Sequence, residues 1–347
     1  MIDTIALLRQ LVAIPSYSRE EGAKADYMAR FLTENGCTVQ RAGNNLWTWA
    51  APYDASKPVL LLNSHLDTVR PNASWTRNPH EAMLENGCVY GLGSNDAHAS
   101  VVSLTAAFLE LKQRQQAYNL VLGLSCEEEV SGKNGVELLL AQLPPVAFAV
   151  VGEPTGMQLA VAERGLMVLD GTVWGRSGHA ARDEGDNAIY KAMRDVAWFE
   201  SFRFPKVSEV LGPVKMSVTM IAAGTQHNVV PDKCTYVVDV RLNECYTHAE
   251  VLEEVRRQVA GEVVPRSMRL CASGIASDHP FVQVCRKAGI PTFGSSTLSD
   301  QALMAFPSVK IGPGQSSRSH TADEFVRVDE LEQAAPLYVR LLDGLIF

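Results

Sequence analysis

The apolar residues of this chain fall into two textures. Up to about residue 152, continuous apolar runs alternate with helical spacing. Ile5, Leu8, Leu11 and Val12 share one helix face, and residues 45–50 and 58–64 read as strands. Val101, Leu104, Phe108 and Leu111 mark a second helix, residues 118–126 form another strand, and a further helix and strand follow between 135 and 152. Ser18 with Glu21 has the spacing of a capping box for a helix that Gly36 can close. Continuous runs mark strands covered on both faces, so the alternation predicts a largely parallel, buried sheet of the α/β class.

Near Ala162 the texture changes. Residues 165–174, 214–222 and 233–242 alternate apolar with polar, while 187–199 and 248–259 keep helical spacing. The pattern predicts an α+β insert of four strands and two helices, three of whose strands can be placed. After Gly274 the first texture returns. The expected plan is a discontinuous α/β catalytic domain of residues 1–163 and 274–347, interrupted at 164–273 by a lid or association module.

Composition narrows the function classes. With 347 residues and 46% hydrophobic content the chain can fill two cores. A net charge of -8 argues against nucleic acid and anionic membrane as main partners, since both reward clustered Lys and Arg. The first residues carry Asp3 and interrupted apolar character, so no signal peptide is expected, and no apolar stretch approaches the roughly 20 residues of a membrane span. Seven cysteines without a CxxC pair favour a reducing, cytoplasmic setting, with Cys126 expected to be a packed thiol.

Candidate chemistry gathers where apolar runs end. His65 and Asp67, the run Glu127-Glu128-Glu129, and Glu153 each follow a predicted strand, Asp96 opens a predicted helix, and His320 lies in the returning α/β part. Singly these read as a surface histidine, a helix N-cap or a solvated charge run. Jointly they are the nitrogen and oxygen donors of a two-metal hydrolase at the carboxyl edge of a parallel sheet. Asp67 suits acceptance of the second N–H of His65. Adjacent glutamates can divide labour, one binding metal and the other acting as general base.

The segments His65-Leu66-Asp67-Thr68-Val69, Gly93-Ser94-Asn95-Asp96, Glu127-Glu128, Gly152-Glu153-Pro154-Thr155 and Ser319-His320-Thr321 resemble the signatures of the M20 metallopeptidases and amidohydrolases. End to end, the chain is most similar to the acetylornithine deacetylase branch. The resemblance implies a zinc-exopeptidase-like three-layer catalytic domain with a ferredoxin-like inserted domain that forms a homodimer. It implies two divalent metal ions, zinc or cobalt: His65 and Glu153 on one, Glu128 and His320 on the other, and Asp96 bridging. Glu127 is then the general base, Asp67 supports His65, and the peptide after Asp96 is cis. In the insert, His179 of Ser177-Gly178-His179-Ala180 resembles a histidine that reaches a partner's site. Asn228 and Arg241 resemble contacts to a substrate carboxylate, although Arg241 alone reads as a surface ion pair. Gly312 and Gly314 resemble a pocket loop. One departure is His98, where many relatives have Lys or Gly; it suits a substrate contact and a helix start equally.

The activity implied is hydrolysis of the N-acyl amide of acetylornithine or an acyl-citrulline, in arginine biosynthesis. A dipeptidase or succinyl-diaminopimelate desuccinylase on the same framework is the near alternative. A non-catalytic binding protein is the reading from another class, against which an unliganded glutamate beside metal ligands speaks.

Overall fold

The computed structural model describes residues 2–347. Strand Val59–His65 lies between Asn119–Ser125 and Phe148–Val151, parallel to both, and Ser308–Lys310 extends the parallel set. Antiparallel strands close the margins of this nine-stranded sheet. The hairpin Val39–Ala42 and Asn45–Trp49 borders Asn119–Ser125, and Leu159–Glu163 borders Ser308–Lys310.

Every position of Val59–His65 and Asn119–Ser125 is buried, as continuous apolar runs require. Side chains two apart share a face. Leu60, Leu62, Leu120 and Leu122 pack in one core with Leu8, Met28, Phe108 and Tyr338 from helices Thr4–Ala13, Gly22–Glu34, His98–Leu111 and Val328–Leu342. Leu61, Val121 and Ala149 point the other way, into a smaller core with Trp47, Val136 and Met304. The result is a three-layer α/β arrangement whose parallel strands deliver their carboxyl ends to one edge.

The chain divides into two compact units. One holds the residues up to Val161 with Gly274–Phe293 and Ser299–Phe347, and the other holds Ala162–Ser273 with Gly294–Leu298. The second unit has an antiparallel sheet in the order Lys215–Ala223, Lys233–Leu242, Gly165–Trp174, Glu262–Pro265, with helices Ala188–Ser201 and His248–Gln258. Strand and helix order is βαββαβ, the ferredoxin-like pattern. The fourth strand, Glu262–Pro265, escapes the sequence pattern because only Val263 of its four residues is buried and it ends in proline.

Two local expectations are corrected. Ser18 and Glu21 form no capping box: the helix is Gly22–Glu34, and Glu21 at its N-cap makes no side-chain cap bond. Asp96 is not an N-cap either, since the next helix begins at His98 behind Ala97. All seven cysteines are free, and Cys126 is a buried thiol whose pKa burial raises. No helix among the described residues is long and apolar enough to cross a membrane.

Candidate metal centre

The strand ends bring five of the expected side chains together. His65 is the last residue of its strand, and its Nε2 lies 3.3 Å from Asp96 Oδ1, 3.7 Å from Glu153 Oε1 and 3.9 Å from Glu128 Oε2. His320 Nε2 lies 2.8 Å from Glu129 Oε2 and 3.7 Å from Asp96 Oδ2. Asp96 therefore presents one oxygen to each imidazole. The Asp96–Ala97 peptide is cis.

Glu129 enters the cluster, and Glu127 does not. Ligand atoms of His65, Asp96 and Glu129 lie within 4.8 Å of one another. Glu127 instead accepts from Asn134 Nδ2 at 3.0 Å and lies against Gly132, where an added Cβ would come within 1.8 Å of its Oε2. The cause is the turn after Ser125. Glu127 has a left-handed backbone, φ 55°, and donates its N–H to Glu21 Oε1, while the N–H groups of Glu128 and Glu129 go to Asp67. These bonds turn Glu128 and Glu129, and not Glu127, towards the cluster, a choice among three identical side chains that no sequence spacing can distinguish.

Asp67 is thus mainly a clamp on the glutamate turn. Its carboxylate also accepts from Ser18 Oγ at 2.7 Å, whereas His65 Nδ1 donates to the Asp67 carbonyl at 2.9 Å and lies 3.5 Å from Oδ1. Glu153 follows Val151 and Gly152 at another strand end, and its Oε1 is buried with no hydrogen-bond partner. Gly312 permits this placement: a Cβ there would come within 2.5 Å of the Glu153 carbonyl and 2.4 Å of Ser100 Oγ.

The electrostatics are those of too many acids in one place. Burial raises the pKa of Glu128, Glu129 and Glu153, and repulsion among neighbouring carboxylates adds to it. Burial would depress His65, but Glu128, Asp67, Asp96 and Glu153 outweigh it and hold the imidazole well above its ordinary value. The hydrogen bond to Glu129 lifts His320 to about 9. A partnerless buried carboxylate oxygen, and imidazole nitrogens facing carboxylates, are what divalent cations would satisfy. The donor set fits the implied metals, and nitrogen with oxygen donors suits zinc and cobalt alike.

Behind this edge lies a buried lysine. Lys24 Nζ is 2.8 Å from His98 Nε2, which is 3.1 Å from the carbonyl oxygen of Leu66. His98 is fully buried at a helix start, so the substrate-contact alternative is set aside.

The insert residues belong to the second unit. His179 is exposed in a two-residue strand paired with Val229–Val230, and its Nδ1 accepts from the N–H of Ala181 at 3.1 Å. Asn228 is exposed, and its carbonyl accepts from the N–H of Ala180. Arg241 directs its fork at Asp239, two residues back on the same strand, at 2.7 and 3.0 Å. In this structure the fork is engaged by Asp239, as in a surface ion pair.

Residues 61–344 match the family described as Peptidase family M20/M25/M40. A succinyl-diaminopimelate desuccinylase from Stenotrophomonas maltophilia (strain K279a) is 27% identical over 397 residues, covering 100% of both chains. Succinyl-diaminopimelate desuccinylase 2 from Ruegeria sp. (strain TM1040) is 23% identical over 98% of this chain and 94% of its own. Among solved structures, aminopeptidase PepT from Bacillus cereus superposes with a TM-score of 0.77 at 18% identity, covering 98% of this chain and 97% of that one. A Bacillus subtilis protein described as a dinuclear metal binding peptidase from the M20 family superposes with a TM-score of 0.74 at 16% identity, covering 98% and 96%.

Lys24 generates a pH prediction. Burial lowers its pKa from 10.5 to about 7, against the attraction of Asp67 and Glu324. Between those values the unfolded chain holds a proton that the folded chain has released, so this group's contribution to stability grows as pH rises through the window and is lost as pH falls towards 7. In metal-free protein, Lys24→Met should flatten the rise of Tm between pH of about 7 and 10. Calorimetry at four pH values checks this; identical slopes for variant and wild type would exclude it.

Proposed function

The chain belongs to peptidase family M20/M25/M40, and we propose that it is a two-metal amidohydrolase cleaving the N-acyl bond of an acylated amino acid. The observation that carries this reading is the division of Asp96, one oxygen towards His65 and the other towards His320, as a ligand shared by two cations requires. His65, Asp96 and Glu153 would hold one ion, and Asp96, Glu129 and His320 the other. Two such ions supply Lewis acidity and lower the pKa of water enough to make hydroxide available near neutral pH.

Glu128 is the acid of the cluster without an imidazole partner closer than 3.9 Å. We assign it the proton transfer: it takes the proton from the attacking water and returns it to the leaving amine. Glu129 replaces Glu128 as ligand, and Glu127 holds the turn through Asn134. Asp67, through the amides of Glu128 and Glu129, keeps base and ligand side by side.

For the substrate, the relatives support the near alternative over the acetylornithine reading, because proteins similar along 98 to 100% of this chain are succinyl-diaminopimelate desuccinylases. The reading is therefore a succinylated diamino acid, not an arginine-pathway amino acid. Kinetics on succinyl-diaminopimelate, acetylornithine, acetylcitrulline, succinylcitrulline and a dipeptide test it. The highest kcat/KM should fall on succinyl-diaminopimelate. A preference for ornithine or citrulline would move the enzyme to the other branch, and no turnover of any of them by metal-loaded protein would refute the amidohydrolase.

The shifted register makes its own prediction. Glu128→Gln should keep about two metals per chain while kcat falls by roughly 10² to 10⁴. Glu129→Gln should lose metal, and Glu127→Gln should retain most activity. A large fall in kcat with intact metal in Glu127→Gln would restore the original assignment.

We also propose that the insert forms a symmetric dimer and that His179 serves the partner's site. Supporting this, the edge strand Lys215–Ala223 exposes Met220 and Ile221, and helix Ala188–Ser201 exposes Tyr190 and Met193. Mixing inactive His179→Ala with inactive Glu128→Gln chains should restore activity, up to about half the wild-type rate per mixed dimer, because one site then keeps both groups. No recovery after demonstrated subunit exchange would place His179 outside the partner's site.

A further inference from the structure

A second carboxylate clamp lies on the other side of Asp96. Strand Phe325–Arg327 pairs antiparallel with Cys88–Tyr90, which sets Glu324 beside the turn that follows that strand. The Glu324 carbonyl accepts from the N–H of Gly91 at 2.9 Å. Its carboxylate, buried to 1% exposure, accepts three more backbone bonds: Gly93 N–H on Oε2 at 3.0 Å, and the N–H groups of Asn95 and Asp96 on Oε1, each at 2.8 Å.

The same two segments are tied a second time. Asn95 Oδ1 accepts from the N–H of Gln315 at 2.9 Å, and Asn95 Nδ2 donates to the Gln315 carbonyl at 3.1 Å and to Ser319 Oγ at 3.3 Å. Gly314, at φ +85°, allows this approach, since a Cβ there would lie 2.3 Å from Asn95 Oδ1. The turn carrying Asp96 and the loop carrying His320 are thereby one hydrogen-bonded body.

We infer that Glu324 is a positioning residue for the metal centre: by holding three consecutive-turn amides it aims the Asp96 carboxylate between His65 and His320 before any cation binds. This rests on the two-metal reading above. A carboxylate satisfies the geometry, because three backbone N–H donors converge on its two oxygens. A glutamine would turn its NH₂ group towards either Gly93 N–H or the Asn95 and Asp96 pair, leaving donors face to face in a buried site. No reacting atom need touch Glu324, so the effect should appear in metal affinity and ligand field.

The test compares Glu324→Gln with Asp323→Ala. Asp323 is the neighbour in the same loop, and its carboxylate holds Thr76 and the N–H of Arg77 instead of the Asp96 turn. With Co²⁺ as the probe, titration calorimetry and the visible absorption spectrum are recorded for wild type and both variants. Glu324→Gln should bind Co²⁺ about 10- to 100-fold more weakly, the usual effect of removing a group that orients ligands, with an altered spectrum. Asp323→Ala should leave affinity and spectrum unchanged even where it lowers Tm. Wild-type affinity and spectrum in Glu324→Gln, or an equal loss in Asp323→Ala, would overturn the inference. Should Glu324→Gln not fold, amide exchange of metal-free wild type decides: Gly93, Asn95 and Asp96 must be protected, and fast exchange there refutes pre-positioning. Failure of wild type to bind Co²⁺ at all would strike the two-metal reading itself, which the exchange result does not test.

Discussion

Like charges held together out of water are the constraint on which this molecule turns. Asp96, Glu128, Glu129 and Glu153 sit in one partly desolvated cluster, and nothing in their own chemistry keeps them there. What holds them is backbone. Asp67 accepts two amides of the glutamate turn, Glu21 accepts a third, and Glu324 accepts three from the turn that carries Asp96. The chain thus uses carboxylates in two ways. One set is satisfied by fixed N–H donors and fixes loops. The other is left facing imidazoles or, like Glu153 Oε1, without a partner. Division of this kind would turn electrostatic repulsion into affinity for divalent cations, because the repelling groups cannot relax apart.

The sheet makes that rigidity available. Parallel strands buried on both faces leave their carboxyl ends no freedom, so His65 and the residues after Ser125 and Val151 start from fixed points. Turns only a few residues long then carry each ligand. Gly312 lets one of these turns approach another closely enough to close the site. A looser sheet or longer loops would let the acids separate.

This explains what could be read from sequence. Long buried runs and the change to alternating strands near Ala162 are strong periodic signals, and both architectures follow from them. Strand ends announce themselves, so the side chains that the fold gathers, among them His65, Asp96, Glu128, Glu153 and His320, could be named from sequence. That Glu129 faces the cluster while Glu127 bonds Asn134 could not be read, since it depends on a left-handed residue and on amide acceptors remote in sequence. Glu21, Glu324 and Lys24 were missed as site residues for a related reason. Ser18 and Glu21 have a helix-cap spacing that the fold diverts to the glutamate turn, and charged residues are ordinarily exposed unless partners remote in sequence bury them. Arg241 shows the converse: its type suits a carboxylate clamp, but a neighbour on its own strand already occupies the fork.

Lys24 completes the electrostatic argument from the opposite side. A fully buried lysine is destabilised by loss of water, and Asp67 and Glu324, the two clamping carboxylates, are the main groups that offset this. Its nearest partner, His98, reaches the carbonyl of Leu66, between His65 and Asp67 in the chain. Lys24 and His98 therefore form a buried pair beside the clamps, with the amine's pKa lowered to about 7. The two clamps answer burial differently: burial and the nearby Asp96 raise Glu324 to about 8 against the pull of its three backbone N–H donors, whereas at Asp67 burial is outweighed by bonds from His65, Ser18 and the Glu128 amide, which lower its pKa. Glu324 thus shares the like-charge strain of the cluster, and what keeps its carboxylate on the Asp96 turn is the set of fixed N–H donors of Gly93, Asn95 and Asp96.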